Sequence, residues 1–175
     1  MDCETTGLPN CEGSPLESQP KIIEFAAIKT DEELNEIERT TFLINPMCQI
    51  SDKITQITGL TNRDLDEQQT FSFFYPQLCD FFLGCSTVIA HNLMFDLSLL
   101  KFELLRIGKQ WAFPYPHKQI CTVEKTLFME GYKLNLNKLH QKFIGEPHEK
   151  GAHRAMSDVE ALLRCCKKLR EQQII

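Results

Sequence analysis

Met1-Asp2-Cys3-Glu4-Thr5-Thr6-Gly7-Leu8 opens the chain, and the alternation of its first residues governs how the rest is read. Successive side chains of an extended strand point to opposite faces, so Asp2 and Glu4 would project together and Cys3 away from them. Two carboxylates on one patch repel, which raises their pKa values unless a cation sits between them; a divalent metal is the usual answer. Taken alone, an Asp-x-Glu pair is more often a solvated turn or strand end. Its meaning depends on what distant parts of the chain bring to it.

The chain has 175 residues, enough for one domain with a full core, and it is read as a single domain over 1–175. With 42% hydrophobic and 25% charged residues it has the balance of a soluble globular protein. No apolar run approaches the ~20 residues that cross a bilayer, and the N-terminus lacks a basic segment followed by an apolar one, so no membrane partner is expected. A net charge of −5 argues against broad electrostatic coating of duplex nucleic acid. A nucleic-acid partner must then be gripped locally. The eight cysteines contain no C-x-x-C pair, which argues against zinc, and several lie in apolar segments. They are expected to be reduced core residues of an intracellular protein, in cytoplasm or nucleus alike.

After Leu8, Pro9 to Pro20 is a surface loop rich in turn formers. Lys21 to Lys29 and Glu38 to Ile44 read as strands joined by a hairpin around Asp31 to Asn35. Ser51 is an N-cap before a short helix stopped by Gly59, and Thr70 precedes a helix over Phe71 to Leu83 in which Pro76 must lie in the first turns or cause a kink. Thr87 to Ala90 is a short buried strand, and Asp96 to Ile107 has helical periodicity. A strand over Lys118 to Val123, a turn or two of helix over Val123 to Met129, a helix capped by Asn135 and closed by Gly145, a loop over 146–152 and a last helix from Arg154 to Arg170 complete the chain. Interleaving of this kind predicts an α/β fold with a mixed sheet of about five strands and helices on both faces.

Four acidic positions fall near ends of regular elements, where a rigid scaffold can aim them: Asp2, Glu4, Asp96 and Asp158. His153 stands five residues before Asp158, close enough to swing to the same patch. On the segments Asp2-Cys3-Glu4-Thr5-Thr6-Gly7-Leu8, Ala90-His91-Asn92-Leu93-Met94-Phe95-Asp96 and His153-Arg154-Ala155-Met156-Ser157-Asp158, the chain resembles the DEDDh branch of the DnaQ-like 3′-to-5′ exonucleases. Ile22 to Ala27 and Ile57 to Thr61 add to the likeness, which covers nearly the whole chain. The sister branch would carry tyrosine where Arg154 stands. The family's first strand normally has several apolar residues before its aspartate; here only Met1 precedes Asp2, so the strand is expected to be clipped and the sequence to begin late.

The resemblance implies an RNase H-like fold and a two-metal mechanism. Asp2, Glu4 and Asp158 would hold a first Mg²⁺ or Mn²⁺, and Asp2 with Asp96 a second; His153 would be the general base for the attacking water. The products would be nucleoside 5′-monophosphates released from a single-stranded or frayed DNA 3′ end, with proofreading beside a DNA polymerase as one setting. Thr5, Thr6, Gly7 and Leu8 would meet the last nucleotide, and Asn92 and Phe95 the penultimate one. Some proofreading members have glutamate and histidine where this chain has Lys53 and Thr58, so nucleotide contacts there are expected to differ. His91 reads equally as a nucleotide contact or a satisfied histidine at a helix start. His117, His140 and His148 read as ordinary surface or core residues, Cys165 and Cys166 as the inner face of the last helix, and Phe73, Phe74, Phe81 and Phe82 as core. Two other functions stay open: an RNA-directed exoribonuclease or oligonucleotide trimmer, and a non-catalytic adaptor for a polymerase or a nucleic-acid end. The adaptor would have no need of all five residues Asp2, Glu4, Asp96, His153 and Asp158.

Overall fold

The computed structural model describes residues 1–148 and 153–175; the segment 149–152, part of the loop expected before His153, lies outside the described residues. In chain order the elements are β1 (Asp2–Thr5), β2 (Ile22–Thr30), β3 (Glu36–Leu43), α1 (Asp52–Thr58), α2 (Asn62–Asp66), α3 (Phe71–Phe82), β4 (Thr87–Ala90), α4 (Leu93–Arg106), β5 (Lys118–Cys121), α5 (Thr122–Glu130), α6 (Leu136–Ile144) and α7 (Ala155–Glu171). None of the described helices is long and apolar enough to cross a membrane.

β2 and β3 form the expected hairpin, whose turn is held by Asp31: its Oδ1 accepts from the backbone N of Glu33 at 3.0 Å and of Asn35 at 2.8 Å. β1 pairs antiparallel with β2, placing Asp2 opposite Ala26 and Glu4 opposite Glu24, and the register slips between Glu4 and Thr5. A bulge at that point turns the chain out of the sheet just where the first motif continues into Thr6 and Gly7.

Alternation along β2 gives the molecule its layers. Phe25 and Ala27 pack with Phe82 of α3 and with Leu99 and Leu100 of α4, whereas Ala26 packs with Ala155 and Val159 of α7. β1 follows the same rule, with Cys3 in the α3/α4 cluster. Helices thus cover both faces of the sheet, and α6 leans on α7 through Leu139, Cys165 and Phe143.

The expectation of one mixed five-stranded sheet needs correction. Among the described residues the strands form a three-stranded antiparallel sheet, β1-β2-β3, and a two-stranded parallel pair, β4-β5. With β1 only four residues long, its junction with β4 is one hydrogen bond, from the Met1 ammonium to the Ile89 carbonyl at 2.9 Å. Apolar side chains span the junction instead: Val88 and Ala90 belong to the same cluster as Cys3 and Phe25.

Smaller departures have local causes. α2 was not foreseen, although Thr61 and Asp64 form a reciprocal capping box. α4 begins three residues before Asp96, because Asn92 adopts left-handed geometry (φ 71°) and starts the helix early. α3 continues through Pro76, its sixth residue. All eight cysteines are free, but Cys11 and Cys48 are exposed, not core. Phe73 likewise faces solvent, while Phe81 and Phe82 are buried as expected.

Candidate active site

Because β1 and β2 alternate in step, Asp2, Glu4 and Glu24 share the face that α7 covers, and Asp158 comes down onto it from the first turn of α7. Glu4, His153 and Asp158 each offer a ligand atom, and these atoms lie within 4.8 Å of one another. Asp2 is not in that tight group. It lies deeper, and burial together with the charges of Asp158 and Glu4 pushes its pKa up to about 8. Burial, then Asp158 and Glu24, raise Glu4 to about 7. Asp96 arrives from the opposite layer, one turn ahead of Leu99 and Leu100; it is 1% exposed, and burial with the nearby Asp2 charge holds its pKa well above the ordinary value. Its Oδ1 is buried with no hydrogen-bond partner. Carboxylates crowded this way favour protons or cations, and a donor set made mainly of carboxylate oxygen suits a hard divalent ion.

His153 lies immediately before α7 in left-handed geometry (φ 63°), exposed, with its backbone N donating to Asp158 Oδ2 at 3.1 Å. A non-glycine residue there is uncommon and must be held by its surroundings. The hold comes from Glu24. Its carboxylate, 3% exposed, accepts from Arg154 Nε at 3.1 Å and Nη2 at 3.0 Å and from the Ala155 backbone N at 3.1 Å. One buried glutamate on β2 thereby caps α7 and fixes the segment that presents His153. Sequence reasoning gave Glu24 and Arg154 no such role. The signal available was an acidic residue inside an otherwise apolar strand.

His148 was also missed. It is 6% exposed, and its Nε2 lies 2.6 Å from Asp158 Oδ1.

The residues expected to meet nucleotide sort by what their polar atoms already do. Thr5 Oγ1 donates to the Gly7 carbonyl at 2.6 Å, and Thr6 Oγ1 accepts from the Lys21 backbone N at 3.0 Å, so both hydroxyls brace the turn. Gly7 has open space where a Cβ would stand, and Leu8 is 79% exposed. This turn offers backbone and an apolar tip. Asn92 is exposed and Phe95 half-buried against the main core. His91 spends both ring nitrogens internally, 2.9 Å from Thr122 Oγ1 and 3.0 Å from the Leu134 carbonyl, and burial lowers its pKa to about 4. Both ring nitrogens are thus partnered within the protein, as the satisfied-histidine reading expects.

A family model described as exonuclease matches residues 1–165. The chain is 29% identical over 178 residues to a PolC-type DNA polymerase III of Clostridium perfringens, covering 100% of this chain and 12% of that protein. It is 33% identical over 181 residues to the 3′-5′ exonuclease DinG of Bacillus subtilis, covering 98% of this chain and 18% of the relative. The chain therefore spans less than a fifth of either relative. Among solved structures, the nuclease domain of 3′hExo, a DEDDh family member bound to rAMP, superposes with a TM-score of 0.77 at 18% identity, over 98% of this chain and 90% of that one.

Proposed function

The chain belongs to the DEDDh branch of the DnaQ-like 3′-to-5′ exonucleases, and from that premise we propose that it removes nucleotides one at a time from a DNA 3′ end. The observation that carries this reading is the meeting of Glu4, His153 and Asp158 within 4.8 Å beside the buried carboxylates Asp2 and Asp96. Exonucleases of this type depend on divalent metal. Here Asp2, Glu4 and Asp158 would hold one Mg²⁺ or Mn²⁺, and Asp2 and Asp96 a second. When bound, the ions would neutralise the scissile phosphate and acidify the attacking water.

The protein's own groups do the rest. His153, exposed and anchored by its backbone to Asp158, takes a proton from the water as general base. Exposure suits that task, since the proton must then leave to solvent. The turn from Thr5 to Leu8 receives the last nucleotide through backbone and the Leu8 side chain, and Asn92 and Phe95 approach the penultimate one. Single-stranded or frayed ends are favoured, because a stacked base must first be pulled free. The similarity to PolC-type polymerase supports proofreading beside a DNA polymerase as the setting. RNA is the second reading, favoured by the rAMP-bound structural neighbour.

Incubating the protein with a 5′-labelled, 3′-frayed DNA and its RNA counterpart, in Mg²⁺, Mn²⁺ or EDTA, tests all of this together. A ladder shortening from the 3′ end, stopped by EDTA and faster on DNA, is the expected result. Faster shortening of RNA transfers the proposal to RNA ends, and no shortening with either metal leaves the non-catalytic adaptor.

A further inference from the structure

His148 carries the inference. Its ring is enclosed and points at one target: Nε2 lies 2.6 Å from Asp158 Oδ1. A carboxylate oxygen at that distance can only accept, so Nε2 carries the hydrogen and donates it. The backbone N of His148 donates to Asn137 Oδ1 at 2.8 Å, tying the residue to the first turn of α6. Its ring stands 5.8 Å from that of His140, at 45°. His140 is itself fixed, since its Nδ1 donates to the Glu146 carbonyl at 2.8 Å and its Nε2 accepts from Arg164 Nε at 3.1 Å. Arg164 belongs to α7, the helix that carries Asp158. The bracing thus starts and ends on one helix.

Asp158 is consequently gripped at both oxygens, Oδ1 by His148 and Oδ2 by the His153 backbone. Two donors at fixed positions stop the carboxylate from rotating, and the remaining lone pairs are left for the group formed with Glu4 and His153. We propose that His148 is a positioning residue, which holds Asp158 in the orientation in which it binds a divalent ion. The proposal rests on the exonuclease reading of the site. His148 acts through Asp158 and does not touch nucleic acid, being 6% exposed.

A purely structural tie between α6 and α7 would use the same contacts, so the test must isolate the hydrogen bond. His148→Gln and His148→Met have nearly the same shape and lose the same ring, but only glutamine can donate. Mn²⁺ binding to the full chain is measured by calorimetry without substrate, alongside the Mn²⁺ dependence of nucleotide release. The methionine variant should bind Mn²⁺ about 10- to 100-fold more weakly than wild type, with glutamine recovering most of the loss. The concentration of Mn²⁺ giving half-maximal cleavage should shift by the same factor, with KM for the oligonucleotide unchanged. Equal binding by the two variants, whether both strong or both weak, overturns the proposal. A second readout needs no variant: the downfield imidazole N–H proton resonance of His148 should persist in saturating Mg²⁺, and its loss would mean that metal displaces the histidine. Should wild type bind Mn²⁺ yet cleave nothing, the exonuclease reading falls, and the glutamine–methionine difference still decides the role of His148.

Discussion

The two faces of β1 and β2 are built from the same short strands and do opposite things. Toward α3 and α4 they present Cys3, Phe25 and Ala27, which vanish into one apolar cluster. Toward α7 they present Asp2, Glu4 and Glu24, a column of carboxylates facing Asp158, with Arg154 bonded to Glu24 and its charge felt by Glu4. The first face holds the fold together. The second works against it, because each added negative charge makes its neighbours harder to ionise. A site that binds cations is stored as repulsion in the empty state, and the apolar face must outweigh it.

Removing charge from the α7 face breaks this comparison most sharply. Asp158→Asn or Asp2→Asn should lower nucleotide release about 10³-fold, while Asp2→Asn raises the metal-free unfolding midpoint at pH 8; loss of activity together with a lower midpoint would contradict the stored repulsion. His153→Ala should reduce the rate by about 10²-fold or more and change the shape of the pH–rate profile, with Mn²⁺ binding kept. A profile unchanged in shape would deny it the role of base. On the opposite face, Phe25→Ala should cost about 3–5 kcal/mol in urea unfolding, with cleavage surviving below the transition; a smaller loss would mean that the core can collapse around the gap.

Acidity gives the gentlest test. Asp2 at about 8 and Glu4 at about 7 lie above their ordinary values of 3.8 and 4.5, so the folded, metal-free chain binds protons that the unfolded chain has released. That contribution is fully present below about pH 4 and is lost as pH rises through 7 to 8. The metal-free unfolding midpoint should therefore fall by several degrees between pH 5 and pH 8. Saturating Mg²⁺ should flatten the fall, since the ion favours the ionised form and its binding expels protons. A midpoint that rises over this range would refute the assignment.

The reach of the sequence tracks the distance over which each feature is encoded. Period-two alternation put Asp2 and Glu4 on one side, and Ser51, Gly59, Asn135 and Gly145 marked helix ends through local capping. Placement near element ends singled out Asp96 and Asp158, and family likeness gave them their roles. What stayed hidden depends on pairing across the fold: Glu24 with Arg154, 130 residues apart, and His148 with Asp158, 10 residues apart with no sequence periodicity linking them. The early start of α4 hung on the backbone of one asparagine. The capping box of α2 is encoded locally, in Thr61 and Asp64.

Pairing across β2 bears on how the molecule breathes. A ladder of backbone bonds shields amides from exchange with solvent, and packing on both faces shields them further. β2 is laddered to β1 on one side and to β3 on the other, and Ile22 to Ala27 are buried. Deuterium should therefore enter the amides of Phe25 and Ala26 long after those of Glu36 to Arg39, at the exposed end of β3. Two exchange clocks in one domain would mark the part of it that opens last.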